Sequence, residues 1–204
     1  MIRRLLAVVA AFAALAPAPA FALDRHNPGE RDTDRQGFLV PDFARLQTGG
    51  YAGLIVAGLG YAAFNDIVNL SVAYGFTPEA VAGADVHTVG LTLSVRPFEI
   101  DLRRRARIIP FYAGGSLLFA LGDQYFLTVP SEYDSRLYYH PTAAHWMAHA
   151  GAELDILSNG VFERHGVFAE LVTLDSYLFS YVENPNEVAL DEILSVALGY
   201  RASW

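Results

Sequence analysis

The chain has 204 residues, of which 53% are hydrophobic and 18% charged, and its formal net charge is −8. An acidic chain lacks the basic footprint of a nucleic-acid binder. All fourteen basic residues are arginine and there is no cysteine, which excludes Schiff-base and Walker lysines, Ser-Lys dyads, disulfides and thiolate metal sites.

Arg3 and Arg4 precede the apolar run Leu5 to Ala16, and Pro17, Pro19 and the small-residue site Ala20-Phe21-Ala22 follow. This is the pattern of a secretory signal peptide over residues 1–22, cleaved after Ala22. The apolar run is too short for a membrane-spanning helix, which needs about 20 residues. Loss of Arg3 and Arg4 with this leader takes the formal charge from −8 to −10. Residues 23–36 are polar and aperiodic, and read as a flexible periplasmic lead-in.

From residue 37 onward the chain alternates. Phe38, Val40 and Phe43 mark a first strand within 37–46, with Pro41 at its edge. Tyr51 to Ala63 is a glycine-rich strand, and Asn65-Asp66 a tight turn. Val68, Leu70, Val72, Tyr74 and Phe76 share one face, opposite Asn69, Ser71, Ala73 and Gly75. Val89, Leu91, Leu93 and Val95 likewise oppose Thr88, Gly90, Thr92 and Ser94. Residues 96–107 turn the chain, and the run Arg103-Arg104-Arg105 with Arg107 reads as solvated. Ile109 to Leu121 follows, then a long tyrosine- and acid-rich connection over 122–142. Trp146 to Ile156 returns, Ser158-Asn159-Gly160 turns, and Gly166 to Tyr177 is the next strand. After a loop over 180–187, a strand from Leu190 to Trp204 alternates Leu194, Val196, Leu198, Tyr200 and Trp204 against Ser195, Ala197, Gly199 and Arg201. Period two places successive side chains on opposite faces of a sheet.

No apolar run after the leader is long enough for a spanning helix. A closed barrel is the other structure that satisfies every backbone polar group in lipid. One face of each clean strand is large and apolar. The other is Gly, Ser, Thr, Asn and Ala, which suits a narrow lumen better than the charged, water-facing exterior of a lipocalin-type soluble barrel. The expected fold is therefore all-β: an eight-stranded antiparallel transmembrane up-and-down β-barrel over 37–204, in the outer membrane of a Gram-negative bacterium.

His145, His149, Glu153 and Glu170, with Arg96 and Arg201, fall on the polar face and form the expected lumen network, since buried charges are normally paired. On a helix, His145 and His149 would read as a metal pair. On a strand they lie about 13 Å apart, too far for one ion, so no metal and no cofactor are expected.

Pro110-Phe111-Tyr112-Ala113-Gly114-Gly115, Gly166-Val167-Phe168-Ala169 and the acidic Glu192 resemble small outer-membrane barrels of the OmpA/OmpX type. More loosely, these last hundred residues resemble the lipid A 3-O-deacylase family. That family uses a His-x-Ser pair on the penultimate strand and a Glu on the last. Here residues 170–176 read Glu-Leu-Val-Thr-Leu-Asp-Ser without a histidine, and Glu192 alone matches. A hydroxyl without a base is not activated, so the resemblance implies the fold rather than the activity.

The expected role is structural or surface-binding, with a closed polar lumen and the 122–142 loop outside. The alternatives are a lipid-acting acyl hydrolase, using Glu192 with His87 or His140, and a small channel. Expected partners are outer-membrane lipid, lipopolysaccharide, and the barrel-assembly machinery through the strand ending in Trp204.

Overall fold

The computed structural model describes residues 40–103, 105–122, 125–126, 142–185 and 187–204. The leader and lead-in expected over 1–36, and most of the 122–142 connection, lie outside the described residues. The strands are β1 Phe43–Gly49, β2 Ile55–Ala63, β3 Val68–Thr77, β4 Val86–Val95, β5 Ile100–Arg103, β6 Ala106–Leu121, β7 Ala144–Leu157, β8 Arg164–Leu174 and β9 Ser195–Ser203. Among the described residues, two helices, α1 Glu79–Ala82 and α2 Asp175–Glu183, and a 3-10 turn at Leu190–Glu192 lie between strands.

The ring runs β4-β3-β2-β1-β9-β8-β7-β6, and β4 pairs back onto β6 to close it. Every pairing is antiparallel. The short β5 pairs with β6 alone and stays outside the ring, so the fold is a closed eight-stranded antiparallel β-barrel. One end carries the connections 64–67, 96–105 and 158–163 (the turn end). The other carries 50–54, 78–85, 122–143 and 175–194 (the loop end).

The alternation read in the sequence is the alternation of burial. Leu70 and Val72 are exposed while Asn69 and Ser71 are buried, and Val196 and Leu198 are exposed while Ala197 and Arg201 are buried. The barrel is thus inverted relative to a soluble core. Large aliphatic residues face outward on all eight walls, and charges face inward.

The strand boundaries differ from expectation in four places, each with a local cause. β1 starts at Phe43 because Pro41 has no N–H, and pairing begins at Asp42, whose N–H donates to Gly60 O and whose carboxylate accepts from Ala62 N–H. β2 starts at Ile55 because Gly50 and Gly53 take positive φ (74° and 148°) and bend Tyr51 to Leu54 away from the sheet. β8 stops at Leu174, where Asp175 begins α2 instead of extending the strand to Tyr177. β9 covers Ser195–Ser203, because the Glu192 carboxylate accepts from Ala189 N–H and closes the 3-10 turn.

A fifth difference matters most for the interior. β6 begins at Ala106, and its register against β7 shifts between Ile109 and Tyr112 at Pro110. A bulge reverses the parity of the residues before it. Counting back from outward Phe111 puts Arg107 outside; the bulge turns it inside, where its side chain is 12% exposed rather than solvated.

Candidate functional site

The turn half of the lumen is filled by a charged plug. Phe64, Asn65 and Asp66 all take left-handed backbone (φ 54°, 58° and 66°), a conformation Asn and Asp tolerate better than most residues. Asn69 Nδ2 braces the turn by donating to Asp66 O at 2.9 Å. The turn folds Asp66 into the bore, where its carboxylate meets Arg201 at 2.9 Å, Arg164 at 3.3 Å, and Arg96 and Arg107 at 3.4 Å each. Burial alone would raise this carboxyl. The guanidiniums of Arg201, Arg96, Arg164 and Arg107 outweigh it and hold Asp66 well below the ordinary carboxylate range.

Around Asp66 the charges alternate. Arg96 also pairs with Glu153, and Arg107 with Asp155 at 2.6 Å and with Glu99 at 2.5 Å. Above them Arg45 meets Glu170 at 2.9 Å, and Tyr112 donates its hydroxyl to the same carboxylate at 2.9 Å. Three inward aromatics support guanidinium groups: Phe43 under Arg201 (3.8 Å), Phe168 under Arg45 (4.4 Å) and Tyr112 under Arg96 (5.6 Å). Space for two of these rings comes from glycine. A Cβ at Gly60 would lie 2.3 Å from Phe43, and one at Gly199 would lie 2.1 Å from Phe168.

The loop half holds an apolar cluster edged by the buried Gln47, Thr88 and Thr173. Ala52, Val56, Leu118, Met147, Val172 and Ala197 form one buried cluster. A void of about 40 Å³ lies between this cluster and the Arg45–Glu170 layer, and a second of about 20 Å³ lies beside Arg96, Tyr112 and Glu153. Each has room for a few water molecules. At the mouth, Tyr51 stacks on Tyr177 of α2 (centroids 5.3 Å) and donates its hydroxyl to Ile193 O at 3.4 Å.

The expected lumen residues divide. Arg96, Glu153, Glu170 and Arg201 share the charged network. His149 adjoins it, with Nε2 and Ser94 Oγ 2.9 Å apart and its ring edge-on to Tyr112. His145 belongs elsewhere. At the loop end its Nδ1 pairs with Asp175 at 3.0 Å, and Asp175 also accepts from Trp146 N–H (3.2 Å) and Ser176 N–H (2.7 Å). With the Nδ1 proton donated to Asp175, Nε2 is left as the lone pair of the ring. Nε2 has no partner among the described residues.

The expected hydrolase set does not assemble. Glu192 lies in the 3-10 turn before β9, capping Ala189, and His87 lies on β4 against Tyr74. β4 and β9 are four strands apart in a ring of eight, so the two residues stand on opposite walls. His140 lies outside the described residues.

Sequence reading missed Arg45, Asp66, Arg107, Tyr112 and Arg164 as network members. Parity over the observed β1 marks Arg45 as inward, because it alternates with outward Leu46. Asp66 and Arg107 carry no such signal: one acts from a turn and the other from behind a bulge. No protein-family model and no curated protein matches this chain.

Proposed function

We propose that the chain is an outer-membrane β-barrel with a filled lumen, exported by a cleaved leader, whose role is structural or surface-binding. One observation carries this reading. Exposed aliphatic and aromatic residues ring the barrel on every wall, including Leu46, Leu59, Val72, Leu93, Leu117, Ile156, Val167 and Leu198. An apolar surface of that extent on a monomer in water is an aggregation liability, whereas in lipid it is the solvated face. Within the reading, lipid and lipopolysaccharide are the partners of the outer wall, the barrel-assembly machinery engages β9, and the loop end faces outward. The test is gel mobility before and after boiling, with fractionation of expressing cells. A heat-modifiable band in the outer-membrane fraction is expected. Unchanged mobility, or recovery in the soluble periplasm, overturns the reading.

A second reading, an acyl hydrolase, is favoured by the His145–Asp175 pair. It supplies at the loop end the oriented base that residues 170–176 lack on their own. Nε2 would take a proton from water as the water oxygen bonds to an ester carbonyl carbon. The same proton would pass to the departing alkoxide as the C–O bond breaks. Mass analysis of lipid A from cells expressing the wild type and His145→Ala decides. An acylation change present only in the wild type supports hydrolysis, and identical spectra sink it.

A further inference from the structure

Two tyrosine–histidine pairs sit on the outward face, one near each end of the barrel. On β3 and β4, Tyr74 Oη and His87 Nδ1 are 2.5 Å apart, and the imidazole packs against Phe76 with centroids 5.1 Å apart. On β8 and β9, His165 Nδ1 bonds the Tyr200 hydroxyl. The His165 ring stands edge-on to Phe162 (5.7 Å), which in turn packs on Trp204 (5.8 Å).

The two pairs share one construction. His87 stands opposite Phe76, so Tyr74 is two residues from its direct partner. His165 stands opposite Ala202, so Tyr200 is again two residues away. Such diagonal cross-strand neighbours are within reach when one is aromatic. A hydroxyl that donates to Nδ1 leaves the imidazole proton on Nε2. Neither Nε2 has a hydrogen-bond partner among the described residues. With the tyrosine hydroxyl as donor, each pair leaves an N–H donor unused on the outer wall.

Their levels point to the ligand. His87 stands at the loop end of β4, and Val95 is eight residues further on, at the turn end. At about 3.3 Å per residue and a tilt of about 40°, that is about 20 Å along the barrel axis. His165 opens β8 at the turn end. The two imidazoles thus bracket a band close to the roughly 25 Å apolar belt of outer-membrane barrels. At both margins of such a belt a bilayer presents anionic phosphates, and amphipathic rings favour that level.

We propose that His87 and His165 are clamps for membrane-lipid headgroups: each Nε2–H donates to a lipid phosphate, and Tyr74 and Tyr200 position the rings. This rests on the outer-membrane reading. The full chain is placed in bilayers of phosphatidylethanolamine and phosphatidylglycerol, and in maltoside micelles with added inorganic phosphate. Solid-state NMR then reads dipolar dephasing of imidazole nitrogen by phosphorus, with His87→Gln and His165→Gln assigning the signals. Dephasing at His87 and His165 in the bilayer, absent at His145 and His149, is expected. Tyr74→Phe should lose the His87 effect and keep that of His165. A heat-modifiable, inserted barrel without dephasing overturns the clamps and leaves the membrane reading standing. Failure to insert overturns both. Dephasing in micelles with inorganic phosphate marks a free-anion site and overturns the headgroup assignment.

Discussion

Asp66 is a short acid on a strained turn, and five interactions converge on it: four guanidiniums and the Asn69 amide that braces its backbone. Removing one partner of a buried charge cluster leaves the others uncompensated, at a cost of about 3–5 kcal/mol. Asp66→Asn should therefore lower the urea midpoint of unfolding sharply while barely changing the slope. The pH dependence has a definite sign. A carboxyl depressed in the folded state contributes fully above its unfolded value near pH 4 and loses that contribution as pH falls below it. The stability gap between wild type and Asp66→Asn should narrow only in acid; a gap that narrows toward alkaline pH contradicts the assignment. Gly199 offers an apolar counterpart. Gly199→Ala drives a methyl into the Phe168 ring and should cost about 1–3 kcal/mol. Part of that should disappear in a Phe168→Leu background, as a double-mutant cycle on unfolding would show, and the part that stays is the approach of the new methyl to the Leu46 carbonyl oxygen at 2.7 Å.

At the scale of elements, the strands were legible and their ends were not. Period two in β3, β4, β7 and β9 reports which face each residue takes, because one face is apolar and the other small or charged. Alternation does not say where a strand stops. Leu190 to Ile193 keeps the pattern but closes into a 3-10 turn through Glu192. Asp175 to Tyr177 keeps the strand-like residues but becomes helical, because Asp175 is held by donors from β7. The same limit hid half of the plug, since Asp66 sits in a turn and the bulge at Pro110 reverses parity for Arg107. The anchoring of α2 is open to test. Its polar tie to β7 is Asp175, and its apolar tie is Phe179 standing at 90° to Trp146 (6.1 Å). Asp175→Ala removes the polar tie and frees Trp146 N–H. Hydrogen exchange over residues 175–183 should accelerate by an order of magnitude or more, with the barrel strands unchanged. Equal protection in both proteins would show that stacking alone seats the helix.

At the scale of the molecule, charge and apolarity have exchanged their usual places, and this decides between a pore and a plug. An eight-stranded ring encloses little more than the volume of its own inward side chains. Here five of those side chains are arginines: Arg45, Arg96, Arg107, Arg164 and Arg201. They interleave with Asp66, Glu153, Asp155 and Glu170, so the turn half is crosslinked by charge across the bore. The loop half is closed differently, by apolar contacts among Val56, Leu118, Met147 and Val172 beneath the Tyr51–Tyr177 stack. An ion crossing the barrel would have to open both layers. In the first it separates paired charges in a confined space, and in the second it sheds its water against aliphatic groups. The voids hold a few waters at most, about 40 Å³ between the two layers and about 20 Å³ within the charged one. The purified barrel in a planar bilayer should therefore be electrically silent, without resolved unitary steps at moderate voltage. Reproducible single-channel openings from heat-modifiable protein would mean that the plug yields as a unit, and would replace the proposed structural role with that of a small channel.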